Sequence, residues 1–188
     1  MKKEWLDTAV FYEVYPTSFY DSNGDGIGDI PGIIEKLDYI ADLGCNAIWL
    51  NPCYCSPFQD GGYDITDYYH VDPRFGTNED IQRLFDTARD KGIRILMDLV
   101  MGHTSYQHPW FQQSCREERN KFTDAYIWSD NMDVEHCEGC FMCGLSERPH
   151  MFKVNYYAMQ PALNYGYYRP QKSWQMAMDS PAALASRQ

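Results

Sequence analysis

The chain has 188 residues, 44% hydrophobic and 23% charged, with 27 acidic against 16 basic side chains and a formal net charge of −11. Those proportions are ordinary for a soluble globular protein, and the length is enough to bury a real core. The negative charge argues against nucleic acid and anionic membranes as partners and favours a neutral substrate. Aromatic residues make up 15% of the chain, with 15 tyrosines and 5 tryptophans, which suits stacking on sugars or bases as well as a rich core.

Lys2 and Lys3 near the start are followed by no apolar run, so neither a signal peptide nor a membrane anchor is expected. Seven cysteines without an export signal predict reduced thiols in a cytoplasmic protein.

In chain order, Val10 to Tyr15 reads as a short apolar strand stopped by Pro16. From Asp21 to Asp29, oxygen-bearing side chains alternate with glycines, a spacing that suits a hard cation with 6 to 8 oxygen ligands. The start of an EF-hand loop looks similar, but Gly32 stands where its final glutamate belongs, and no helix leads in. A Ca2+ or Mg2+ loop held by Asp21, Asn23, Asp25, the Ile27 carbonyl and Asp29 is the expectation, with a plain Asx/Gly turn as the alternative. Asp29 also suits the cap of a following helix, with Pro31 in its first turn. The apolar residues Ile33, Ile34, Leu37, Ile40, Ala41 and Leu43 carry that helix to Gly44.

Ala47 to Leu50 reads as a second buried strand. A loop over 53–77 follows, long enough to be functional. Thr77 and Asp80 make a capping box for a helix striped by Ile81, Leu84, Phe85 and Ala88. Residues Ile93 to Val100 are nearly all apolar and predict a third strand buried on both faces, with Asp98 inside it and His103 just beyond its end. Strand, loop and helix therefore recur in an α/β pattern with a parallel sheet. Between His103 and Trp174 the periodicity is weak, which marks an insertion, and Asp179 with Pro181 opens a last helix.

The 53–77 loop carries Asp60, Tyr63, Asp64, Asp67 and Asp72. A tyrosine face between carboxylates offers a pyranose ring a stacking platform and hydroxyl acceptors. Taken singly, each is equally an Asx-turn aspartate or a buried tyrosine.

Five stretches together resemble the α-amylase superfamily (glycoside hydrolase family 13), nearest its oligo-1,6-glucosidase and α-glucosidase branch. They are residues 10–16, 21–29, 62–77, 98–103 and the run Gln160 to Asn164. The resemblance implies an α/β fold that is the N-terminal portion, about three β/α units, of a (β/α)8 TIM barrel. Residues 1–103 would start the barrel, 104–170 form an irregular domain B, and 171–188 begin the third barrel helix, leaving the barrel incomplete. It implies a retaining α-glucoside hydrolase acting on α-1,4- or α-1,6-linked gluco-oligosaccharides; alternatives are a transglycosylase or sucrose isomerase, or an inactive carbohydrate-binding homologue.

Carried over by position, Asp60, Tyr63 and His103 would contact the sugar in subsite −1, with Asp64, Asp98 and Gln160 supporting them from behind. No position in the chain matches the nucleophile or the acid/base, so catalytic residues are expected to be absent, and the 188-residue chain is expected to be inactive and to fold poorly. Gly102 and Ala162 stand where the family usually has asparagine and aspartate. A further departure, Cys137, Cys140 and Cys143, reads either as reduced thiols or as a structural site for Zn2+ or an Fe–S cluster.

Overall fold

A computed structural model describes residues 4–129 and 140–166. The chain divides into two units, one made of Met1–Cys55 and Asp67–Leu99, the other of Ser56–Thr66 and Val100–Gln188.

The first unit runs β1 (Phe11–Val14), α1 (Pro16–Phe19), α2 (Ile30–Glu35), α3 (Leu37–Asp42), β2 (Ala47–Leu50), β3 (Tyr54–Cys55), β4 (Asp67–Val71), α4 (Asn78–Asp90) and β5 (Arg94–Met97). Strands β1, β2 and β5 form a parallel sheet in that order. Register places Tyr12, Ile48 and Ile95 in one row and Val14, Leu50 and Met97 in another. Val14, Ile48 and Leu50 are fully buried, as are Ile30, Ile33, Leu37, Ile40, Leu84 and Ala88 of the helices. Glu13, Trp49 and Leu96 share the alternate row, where Trp49 remains 46% exposed. The expectation of strands buried on both faces is therefore corrected. The apolar run 93–100 has the composition a closed barrel needs, but three strands do not close, and one face stays open.

Asp29 caps α2 by accepting the Gly32 N–H at 2.7 Å, and it holds Ser22 through both its N–H (3.2 Å) and its hydroxyl (2.8 Å). Glycine at 28 and 32 has a steric reason. A Cβ there would stand 2.2 Å from the carbonyl oxygens of Pro16 and Tyr20 respectively, so the loop and helix start lie directly on the 16–20 backbone. The single predicted helix is broken at Lys36, whose N–H turns back to Ile33 O at 3.1 Å in a tightened turn. The 53–77 loop is more ordered than predicted, because β3 and β4 pair antiparallel within it. Thr77 and Asp80 form the capping box of α4 in both directions.

The second unit contains α5 (Pro109–Ser114), β6 (Trp128–Ser129), β7 (Cys140–Met142) and β8 (Met151–Val154), the strands forming an antiparallel sheet ordered β6-β8-β7. Its aromatic composition is core: Phe111 meets Phe152 at 4.8 Å and Tyr126 at 5.0 Å, both edge-to-face. The polar tips are satisfied, Tyr126 through Thr104 Oγ1 at 2.8 Å and Trp128 by donating to Ser114 Oγ at 2.9 Å. The helix expected over 171–188 lies outside the described residues. Among the described residues, no helix is long and apolar enough to cross a membrane.

Candidate functional site

Asp60, Tyr63, Asp64, His103 and Gln160 all belong to the second unit. The stretch 56–66 is wound around one carboxylate. Asp64 is fully buried and accepts the Ser56 hydroxyl (2.8 Å) and the Asp60 N–H (3.1 Å) on Oδ1, and the Gln59 N–H (3.1 Å) on Oδ2. Three donors to one buried anion fix the backbone on either side of Asp60. The turn then closes with Tyr63 N–H donating to Asp60 O at 2.9 Å, through Gly61 and Gly62 at positive φ of 57° and 103°.

His103 is placed by the segment that follows β8. It forms an antiparallel bridge with Ala162, while Leu163 N–H donates to Gly102 O at 3.1 Å. Its ring lies with Nε2 3.1 Å from the Tyr63 carbonyl, which only accepts, so Nε2 carries the proton. Nδ1 is then the acceptor for the Asn155 side-chain amide at 3.1 Å, and the same amide group donates to Gly102 O at 2.9 Å. Burial lowers the His103 pKa; the Tyr63 bond and the Asp64 charge oppose that shift. A neutral Nε2–H imidazole is the consistent state. The departure at 102 has a local consequence here, because a Cβ on Gly102 would approach the Asn155 amide nitrogen to 3.1 Å.

Asp60 is half-buried, and its carboxyl is raised above the usual carboxylate range by desolvation first and by Asp64 second. Its Oδ2 accepts from the Gln160 side-chain amide. Gln160 is 1% exposed and also bonds the N–H groups of Tyr156 and Tyr157 at 3.1 and 3.2 Å. Tyr156 is 81% exposed, and its ring edge meets His103 at 6.3 Å. Asn155 and Tyr156 were not singled out by sequence reasoning. No motif marks them, since they simply follow an apolar strand.

Asp98 belongs to the other unit, one residue past β5, half-buried rather than enclosed. Its N–H continues the ladder to Leu50 O at 2.9 Å, and the Tyr54 hydroxyl reaches its carbonyl at 3.5 Å. In the 21–29 loop the side-chain oxygens mainly accept backbone N–H groups: Asp21 from Gly24 (2.7 Å) and Gly26 (2.8 Å), Asn23 from Asp25 (2.9 Å), and Asp25 from Ile27 (2.8 Å). The Gly26 bond is the largest of the effects that lower the Asp21 pKa.

Among the described residues, no three His, Cys, Asp or Glu side chains converge as metal ligands. Of the cysteine trio, Cys137 and the Cys140 side chain lie outside the described residues, and Cys143 is exposed and unbridged. Burial pushes the Cys53 and Cys115 thiols up to about 12 and about 11, so both stay protonated.

Residues 13–152 match the family described as "Alpha amylase, catalytic domain". The oligo-1,6-glucosidase of Heyndrickxia coagulans is 54% identical over 127 residues, 68% of this chain and 23% of that protein. The trehalose synthase/amylase of Mycolicibacterium smegmatis is 56% identical over 129 residues, 69% of this chain and 22% of that protein. The trehalose-6-phosphate hydrolase of Bacillus licheniformis superposes with a TM-score of 0.78 at 40% identity, covering 86% of this chain and 30% of that one. The chain thus spans less than a third of the length of each of these proteins. The parallel β/α frame, the 56–66 turn and the shared sequence converge on one assignment: the chain belongs to the α-amylase catalytic-domain family, glycoside hydrolase family 13.

Proposed function

We propose that this chain is the sugar-binding N-terminal part of a retaining α-glucoside hydrolase for short α-1,4- or α-1,6-linked gluco-oligosaccharides, acting in the cytoplasm. One observation carries the reading. Asp60, Tyr63 and His103, separated by up to 43 residues in sequence, are tied through the His103–Tyr63 bond and the Asp60–Tyr63 turn into one constellation. It offers a ring hydroxyl a carboxylate acceptor at Asp60, while both bonds to Tyr63 are made by its backbone and the stacking role of its ring is what the family resemblance implies. The His103 Nε2–H already serves the Tyr63 carbonyl, so a sugar oxygen there shares one proton in a three-centre bond. No position of the chain matches a nucleophile or acid/base, and bond cleavage needs two such carboxyl groups about 5 to 5.5 Å apart. The 188-residue chain is therefore expected to bind sugar without turning it over. Chemical-shift mapping with maltose and isomaltose, alongside an aryl α-glucoside assay, tests this; turnover by the chain alone would refute it.

Transglycosylation is the second reading, favoured by the 56% identity to a trehalose synthase/amylase. Water and a second sugar compete for one covalent intermediate in such enzymes, and chromatography of the products of a longer chain carrying both carboxylates separates the two.

The 21–29 loop carries donor types suited to a divalent cation, since Asp21, Asn23, Asp25, the Ile27 carbonyl and Asp29 are all hard oxygen donors, although its carboxylates do not converge on one point and both Asp29 oxygens already accept from Ser22 and Gly32. A bound Ca2+ or Mg2+ would supply a structural tie between the end of α1 and the start of α2, with no part in bond cleavage.

A further inference from the structure

Gln160 stands 100 residues from Asp60, and each of its polar atoms has a determined role. Two backbone N–H groups, of Tyr156 and Tyr157, point at one end of its side chain. Backbone N–H groups only donate, so that end must be Oε1, and the amide cannot be flipped without setting donor against donor. Nε2 is then forced toward Asp60 Oδ2 as a donor. Gln160 is 1% exposed, so no water competes for either end. On the other side, the Asp60 N–H is held by buried Asp64 and the Asp60 carbonyl by Tyr63 N–H.

Two independent anchors therefore fix Asp60, one on its backbone and one on its carboxylate. With Oδ2 obliged to accept, Oδ1 is the oxygen left to a ligand; among the described residues it has no hydrogen bond.

We propose that Gln160 is a positioning residue that dictates how Asp60 meets a ligand: Oδ2 is fixed as an acceptor inside the protein, and Oδ1 is presented as the acceptor for a sugar hydroxyl. The sugar part rests on the function proposed above; the Gln160–Asp60 part does not. The same glutamine ties the 155–160 turn, which holds Asn155 against His103, to the 56–66 turn, so both sugar-facing groups depend on one buried amide. The donated N–H favours the charged form of Asp60 and works against the upward push of desolvation and Asp64.

The test is an NMR titration of the labelled 188-residue chain, following Asp60 Cγ, the Gln160 side-chain amide, and exchange at the Tyr156 and Tyr157 amides. In the unaltered chain the Gln160 Nε2 shift is expected to titrate with the midpoint of Asp60; independence of the two overturns the proposal. In Gln160→Met, Asp60 titrates at higher pH, and both tyrosine amides exchange faster by about tenfold or more. In Gln160→Glu a carboxylate oxygen still accepts both N–H groups, so they stay protected, while Asp60 now faces a like charge and titrates higher still.

A purely structural glutamine would leave the Asp60 midpoint unmoved in both variants, which also overturns the proposal. Ring shifts of Phe111 and Phe152 report whether each variant keeps its core. Maltose is added last. If it leaves Asp60 Cγ unperturbed while the titrations behave as expected, the sugar reading fails and the positioning role of Gln160 stands.

Discussion

Asp64 gives the most discriminating perturbation, because its two oxygens serve different partners. Oδ1 accepts from Ser56 and Asp60, and Oδ2, among the described residues, from Gln59. Asp64→Asn is nearly isosteric, and its single oxygen will settle where two donors converge, at the Oδ1 position. The new NH2 then faces the Gln59 N–H across 3.1 Å, donor against donor. One charge-assisted bond is lost, which corresponds to about 2 kcal/mol.

If the loss stays local, the Gln59 amide should exchange with solvent roughly thirtyfold faster, while Asp60 keeps most of its protection. Asp64→Ala removes all three side-chain bonds and leaves two backbone donors facing a cavity, while the Ser56 hydroxyl keeps the Asp64 carbonyl at 3.0 Å; it is expected to cost about 4 kcal/mol and to release both amides together. Residue-resolved hydrogen exchange, with urea unfolding for the global term, distinguishes these outcomes. Equal loss at Gln59 and Asp60 in Asp64→Asn, or no loss in either variant, would refute the division of labour between the two oxygens.

Acid should weaken the second unit through His103. Its folded pKa lies below the unfolded value of 6.5, so the contribution of the neutral ring is complete above that pH and disappears as pH falls through the folded value. Asp60, raised in the fold, acts with the opposite sign over the carboxylate range. Asn155→Leu withdraws the donor that favours neutral Nδ1 and should cost about 1 kcal/mol while flattening the slope below neutral pH; an unchanged pH–stability profile would count against the assigned tautomer. Thr77→Ala removes the hydroxyl that caps the Asp80 N–H, keeps the half of the α4 capping box made by its own backbone N–H, and should lower stability by about 1 kcal/mol, read as a shift in thermal midpoint. Saturating Ca2+ should raise the unfolding midpoint of the chain by an amount equivalent to about 2.7 kcal/mol at a hundred times Kd, and Asp21→Ala should abolish the increment; a calorimetric trace without saturable binding would remove the cation from the 21–29 loop.

The frame was readable because its signals are local. Asp29 before Pro31, Thr77 before Asp80 and Gly92 before a branched apolar run each fix an element boundary within a few residues, and the structure places α2, α4 and β5 accordingly. The break at Lys36 was not readable, since Ile34 and Leu37 continue the helical stripe across it. The strands were read as buried on both faces, and half of that is realised: side-chain composition records the neighbours a strand is suited to, while the observed exposure of Trp49 records those that three strands provide. The hairpin within 53–77 was hidden by its short strands and by a register shift between Tyr54 and Cys55.

The site was legible as residue types and, through the family resemblance, as the expected supports Asp64, Asp98 and Gln160, but not as geometry. Asp60, Tyr63 and His103 announced a sugar-like chemistry, but nothing near them in sequence states what orients them. Asp64 works within eight residues and is the kind of Asx-turn aspartate that local reasoning finds. The other supports are Asn155, 52 residues from His103, and Gln160, 100 residues from Asp60. Both sit in one short turn after β8, so the irregular insertion supplies the ring acceptor's donor and the carboxylate's clamp together. An insertion with no periodicity reads as filler when elements are sought by hydrophobic pattern. Its aromatic core of Phe111, Tyr126 and Phe152 packs with Val154 and Leu163, which flank that turn, and the turn bonds the His103 ring through Asn155 and the Asp60 carboxylate through Gln160. Substitutions in the 155–160 turn should therefore change the state of the site while Asp60, Tyr63 and His103 themselves stay unaltered.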